Sequence, residues 1–261
     1  MKKIKILHKN FSKPISCLTA YSPSIAKILD GKIDLILVGD SLGSTLYGMQ
    51  NTQGVTMDMM KVHGAAVNKE IKKSLKVLDM PYKTYDNKID AYNNAKILLN
   101  HCKPDLLKIE ISEKKLVVLK HLVDKKINVI SHIGVTPQSY KNFNKIKVLG
   151  RTDKEKENLL KLAKESETLG ANAVLLECVT ANTAKLITEN ISIPTIGIGA
   201  SRYCDGQVLV FDDIINLNTN NKKPKFVKNY FNFNKIAGNV VKKYNREVKL
   251  KKFPSAKFTY N

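Results

Sequence analysis

The sequence predicts an α/β protein built as a (β/α)8 TIM barrel, and three observations carry that expectation. Eight short β-rich runs recur at intervals wide enough for a crossover helix. Most of them are continuously apolar (LILV, AVLLE, TIGIG), as parallel strands buried on both faces must be. The chain has 261 residues, close to the roughly 250 that one such barrel occupies. A single domain over residues 1–261 is therefore expected, with a basic C-terminal tail from about 216.

In chain order the runs are 15–20, 34–38, 75–78, 106–111, 127–131, 173–176, 194–198 and 207–211. Helical patterns at 88–100, 114–125 and 153–169 lie between them. In the last, Leu159, Leu160 and Leu162 oppose lysine-rich positions, and Gly170 supplies the left-handed residue that commonly ends a helix. Two segments break the alternation. Residues 41–55 (SLGSTLYGMQNTQGV) follow a strand, carry three glycines and are long for a βα connection. They read either as a mobile loop over a site or as a plain surface loop. After Asn216 the only regular pattern is a helix around 236–244.

The net charge of +21 raises the question of a nucleic-acid partner. All but three of the 44 basic residues are lysine, the exceptions being Arg151, Arg202 and Arg246. Arginine is the side chain that clamps phosphates and reads bases in bidentate fashion, so specific nucleic-acid recognition is not expected. The excess reads as drift towards lysine and asparagine along the whole chain. No apolar run approaches the roughly 18 residues of a membrane span. The N-terminus is basic without a signal-peptide apolar core, so export is not expected. Cys17, Cys102, Cys178 and Cys204 are far apart with no CxxC pair, which suits reduced thiols in a cytoplasmic protein.

Polar residues that interrupt or end apolar strands are informative, because burying them is costly unless something pairs with them. Asp40 and Ser41 end the second run and Asp79 the third. Lys108 and Glu110 alternate in the fourth, His132 ends the fifth, and Glu177 ends the sixth. In a barrel all of these converge on the C-terminal mouth, where such enzymes keep their sites. Asp40, Asp79 and Glu110 would repel one another unless a cation sat among them, and hard oxygen ligands favour Mg²⁺. Such an ion leaves room for a bidentate ligand such as a 2-oxo acid and would polarise its ketone. Lys108 and Ser41 supply positive charge and a donor, and Glu177 is the candidate general acid or base. His132 reads either as a substrate hydrogen-bonding group or as a packed histidine. His63, on a helical pattern, fits a core or capping role better than catalysis. The glycine run IGIGAS lacks GxGxxG and so makes no case for a dinucleotide.

Taken together, several segments resemble the ketopantoate hydroxymethyltransferase family. They are VGDSLG (38–43), VT…M…H…AV (55–67), LDMPY (78–82), HIGVTPQS (132–139), LLECV (175–179), IPTIGIGA (193–200), DGQVLVFDD (205–213) and PKFVKNY (224–230). The resemblance implies a barrel of the phosphoenolpyruvate/pyruvate type. It implies hydroxymethyl transfer from 5,10-methylenetetrahydrofolate to 3-methyl-2-oxobutanoate through a Mg²⁺-stabilised enolate, giving 2-dehydropantoate for pantothenate synthesis. A homo-oligomer, commonly a decamer, is implied as well. By matching motif, Asp40, Asp79 and Glu110 are the metal carboxylates and Glu177 the proton acceptor. Asp40, Ser41, Asp79, Lys108 and His132 are the substrate-binding residues. The sequence departs from the family pattern at Ser22, Ile111, Ser112, Leu149 and Ser201, none of which is a proposed ligand. The site chemistry alone also admits a Mg²⁺-dependent lyase or mutase of the same barrel type acting on another 2-oxo acid.

Overall fold

The computed structural model describes residues 13–142, 146–217 and 223–260. Eight parallel strands close into one barrel in sequence order. They are β1 (Ile15–Thr19), β2 (Leu35–Val38), β3 (Leu75–Asp79), β4 (Leu106–Glu110), β5 (Val129–Gly134), β6 (Ala173–Glu177), β7 (Thr195–Ile198) and β8 (Gly206–Leu209). Pairing of β8 with β1 completes the ring. The helices of this part are α1 (Pro23–Leu29), α2 (Leu42–Tyr47), α3 (Met57–Asn68), α4 (Lys88–Cys102), α5 (Leu116–Asp124), α6 (Asp153–Thr168) and α7 (Ala181–Asn190). The expected barrel is present, and each predicted run contributes a strand.

Three local expectations change. The fifth run extends to Gly134, because Ile133 and Gly134 pair with Leu176 and Glu177 of β6, so His132 lies within its strand. Residues 41–55 are partly helical, with α2 followed by a 3-10 turn at Thr52–Gly54. Between β7 and β8 the described chain crosses in a short segment without a helix.

The barrel interior is a packed core of residues including Leu35, Leu75, Leu106, Ala173 and Ile196. Its lower rim is set by a repeating device. The residue just before each even-numbered strand accepts a backbone N–H from the odd-numbered strand before it. Asp34 Oδ2 takes Ser16 N at 2.8 Å and Asp105 Oδ2 takes Lys76 N at 2.8 Å. Asn172 Oδ1 takes Val129 N at 2.9 Å and Asp205 Oδ2 takes Thr195 N at 2.8 Å. Each satisfies a strand-start donor and pins the register of one strand pair, at about 1 kcal/mol net apiece. Register matters because it decides which side chains reach the mouth together.

The chain divides into two compact units, the first ending at Val210 and the second beginning at Phe211. The second contains α8 (Phe211–Ile214) and α9 (Phe233–Lys249). The tail helix is thus longer than its sequence pattern suggested, with Asn232 capping its start through Lys235 N. Its apolar residues Phe233, Ile236, Val240, Tyr244 and Val248 follow helical spacing and are all exposed. No helix among the described residues is long and apolar enough to cross a membrane.

Candidate active site

The strand ends deliver the charged residues to one mouth. Asp79 closes β3 and is paired in register with Lys108 of β4, while Glu110, two residues on, is paired with His132 of β5. Glu177 closes β6 opposite Gly134. Asp40 lies two residues past β2, after Gly39. A Cβ at Gly39 would stand 2.9 Å from Ser41 Oγ and 3.4 Å from Asp79 Oδ2, so the absence of a side chain lets these groups approach. Gly134 has φ 96° and a Cβ there would fall 2.4 Å from Glu177 O, so only glycine fits beside the end of β6.

Asp40, Asp79, Lys108, Glu110 and His132 are all buried. Lys108 Nζ stands 2.8 Å from Asp79 Oδ1 as a buried contact ion pair. Asp79 Oδ2 accepts the Asp40 backbone N–H at 3.0 Å, tying the turn after β2 to the end of β3. Gln138 Nε2 donates to Asp40 Oδ2 at 2.7 Å. Ser41, half-buried, shares a 2.7 Å hydrogen bond with the Tyr21 hydroxyl.

Burial and then the neighbouring Asp79 carboxylate push Asp40 up to about 7. Glu110 is held well above the usual carboxylate range by burial and then by Asp40. Burial works against the Lys108 ammonium, but Asp79 and Asp40 outweigh it and keep it charged. His132 is lowered by burial and by Lys108, so its imidazole is neutral at pH 7. A carboxylate with a raised folded-state pKa binds more protons folded than unfolded. Its stabilising contribution is full below its unfolded pKa and is lost as pH rises through the folded one. Metal-free protein is therefore expected to lose stability between pH 5 and about 7.5 relative to Asp40→Asn, which mimics the protonated acid. Chemical denaturation in EDTA measures this, and parallel pH profiles for the two proteins would contradict the assignment.

His132 Nε2 lies 3.2 Å from Glu177 Oε2, and its Nδ1 lies 3.9 Å from Glu110 Oε1. Glu177 is the more open member, its side chain 20% exposed. His63, by contrast, is structural: its Nδ1 meets Tyr21 O at 2.7 Å and its Nε2 meets the Tyr47 hydroxyl at 2.9 Å, latching α2 to α3. The four cysteines are free, and burial raises the pKa of each, to about 11 for Cys102 and about 12 for Cys178.

Among the described residues no three His, Cys, Asp or Glu side chains gather as a metal-holding group. Glu110, expected with Asp40 and Asp79, feels the Asp40 charge, and its Oε1 accepts the Gln138 backbone N–H at 3.0 Å. Asp40 and Asp79 nevertheless suit Mg²⁺, which is commonly bound by one or two carboxylates with the rest of its shell from water and substrate. Two adjacent buried carboxylates, the Asp79 charge pushing Asp40 up, are an arrangement a hard cation relieves.

Gln138 and Tyr85 stand outside the strand ends, yet both are buried and woven into the carboxylate cluster. The only sequence signal for Gln138 was its place in the HIGVTPQS segment.

A family profile described as ketopantoate hydroxymethyltransferase matches residues 2–256. A protein of Pelagibacter ubique named 3-methyl-2-oxobutanoate hydroxymethyltransferase is 46% identical over 255 residues, covering 98% of this chain and 97% of that protein. One of the same name from Ruegeria is 43% identical over 248 residues, covering 95% and 88%. Among solved structures, phosphonopyruvate hydrolase superposes with a TM-score of 0.63 at 10% identity, covering 98% of this chain and 92% of that one. 2,3-Dimethylmalate lyase, of the PEP mutase/isocitrate lyase superfamily, gives 0.58 at 12%, covering 99% and 88%. At such identities the structural likeness speaks for the barrel alone.

Proposed function

The chain belongs to the ketopantoate hydroxymethyltransferase family, and from that premise we propose that it moves a hydroxymethyl group from 5,10-methylenetetrahydrofolate onto 3-methyl-2-oxobutanoate. The product is 2-dehydropantoate, for pantothenate synthesis. The observation that carries this reading is the buried Asp40–Asp79–Lys108 cluster beside the His132–Glu177 pair. In this reading the cluster binds the 2-oxo acid and Glu177 acts on its C3.

Asp40 and Asp79 would hold Mg²⁺, which when bound polarises the 2-oxo group and makes the adjacent C3–H acidic. Lys108 balances the Asp79 charge and places a fixed cation beside the substrate's carboxylate end. Ser41, oriented by Tyr21, donates to the same carboxylate. His132, neutral and beside Glu177, donates one N–H to the substrate. Glu177 removes the C3 proton. The methylene carbon is bonded to two folate nitrogens, and one C–N bond breaks as C3 bonds to that carbon. The second breaks as water supplies the hydroxyl, and the C3 proton and a water proton go to the two freed nitrogens. The apolar row on α9 supports assembly into a homo-oligomer, and the reduced cysteines fit the cytoplasm. Family membership favours this reading over a lyase or mutase of the same barrel type.

The direct test is incubation with 3-methyl-2-oxobutanoate, methylenetetrahydrofolate and Mg²⁺, followed by mass spectrometry for 2-dehydropantoate. Folded protein that yields none overturns the proposal.

A further inference from the structure

Gln138 sits in a 3-10 turn, Pro137–Ser139, that follows β5, and the residue is 4% exposed. Every hydrogen-bonding group it has near the carboxylates is committed. The Glu110 backbone N–H donates to the Tyr85 hydroxyl oxygen at 3.2 Å. The Tyr85 proton is thereby directed to Gln138 Oε1, 2.5 Å away. With Oε1 so occupied, Nε2 must face the other way, and its two hydrogens go to Asp40 Oδ2 at 2.7 Å and Met80 O at 3.0 Å. The amide orientation thus follows from the network. Tyr85 is itself held by Lys115, whose ammonium stands 4.7 Å over the ring and donates to Tyr85 O at 2.9 Å. On the far side of the turn, Gln53 Nε2 donates to Gln138 O at 2.8 Å.

We infer that Gln138 is a positioning residue for the Asp40 carboxylate, with Tyr85 setting the orientation of Gln138. The inference rests on the reading that Asp40 and Asp79 hold a divalent ion. A neutral amide that grips one carboxylate oxygen stops the group from rotating and leaves its negative charge in place. Partners of this kind outside the ligand set typically contribute about 10–100-fold in metal affinity. No charged side chain could replace the amide here: a lysine would neutralise Asp40, and a glutamate would repel it.

The test is Mn²⁺ binding to the full chain, followed by electron paramagnetic resonance, with thermal melts of each variant. Wild type should bind one ion and Asp79→Asn should lose it. Gln138→Met, matched in volume but unable to donate, should bind about 10–100-fold more weakly. Tyr85→Phe should weaken binding several-fold by freeing the amide to turn. Gln53→Met loosens the same turn without touching the amide, and its affinity should stay within about twofold of wild type. If wild type binds no Mn²⁺, the metal reading itself fails. If wild type binds and Gln138→Met stays within about twofold of it, the metal reading stands and the positioning role is refuted. Equal losses in Gln138→Met and Gln53→Met also refute it, since the turn would then act only as scaffold. Should Gln138→Met not fold, Tyr85→Phe against Gln53→Met decides: weaker binding in the former supports the role, and equal binding ends it.

Discussion

Replacing Asp79 with alanine is expected to lower Mg²⁺-dependent turnover by roughly 10³-fold or more, the scale of several kcal/mol of lost charge stabilisation. Three roles meet in this one carboxylate. It neutralises Lys108, accepts the Asp40 backbone N–H, and with Asp40 is a proposed ligand of the ion. Truncation also leaves a buried ammonium unpaired, a loss of about 3–5 kcal/mol in stability. Asp79→Asn separates the two effects, because it keeps the volume and an acceptor for Asp40 N while removing the charge. It should fold with a modest drop in melting temperature and still lose most turnover. Wild-type-like kcat in the folded Asn variant would show that the ion, if any, is held elsewhere.

For Glu177→Gln the expected loss is about 10²–10⁴-fold in proton removal, the usual range for a general base. Proton removal can be isolated from transfer by incubating 3-methyl-2-oxobutanoate with the enzyme and Mg²⁺ in D₂O without folate. Exchange at C3 is then read by NMR. Glutamine preserves the shape beside His132 and the partly open position at the mouth, so binding of the oxo acid should change far less than exchange. Exchange at the wild-type rate would move the base to another group and leave Glu177 as an orienting partner of His132.

Both predictions concern residues legible in the sequence, and the reason is energetic. An ionisable side chain at the end of an apolar strand must be paired or put to use, so Asp79, Lys108, Glu110 and Glu177 stand out against their surroundings. The barrel was legible for a related reason: strands buried on both faces leave continuous apolar runs. Where the reading slipped, the local signal was weak. His132 follows Ser131 in VISHIG, and two polar residues look like a strand end, but pairing with β6 carries the strand on to Gly134. In residues 41–55 the glycines suggested loop, while capping and tertiary contacts support a short helix.

The sequence by itself determined the eight-stranded architecture and the charged residues that reach its mouth, because burial cost and strand periodicity are local properties written into short windows. Only the tertiary structure decided how those charges are held. The bond from Gln138 to Asp40 spans 98 positions in the chain and that from Tyr85 to Gln138 spans 53. Neutral amides and hydroxyls are tolerated almost anywhere on a surface, so nothing nearby in the sequence marks the ones that closure of the barrel turns inward. Glu110 makes the same point: one more acid by composition, it becomes the acceptor of a turn's backbone only once β4 and β5 lie side by side.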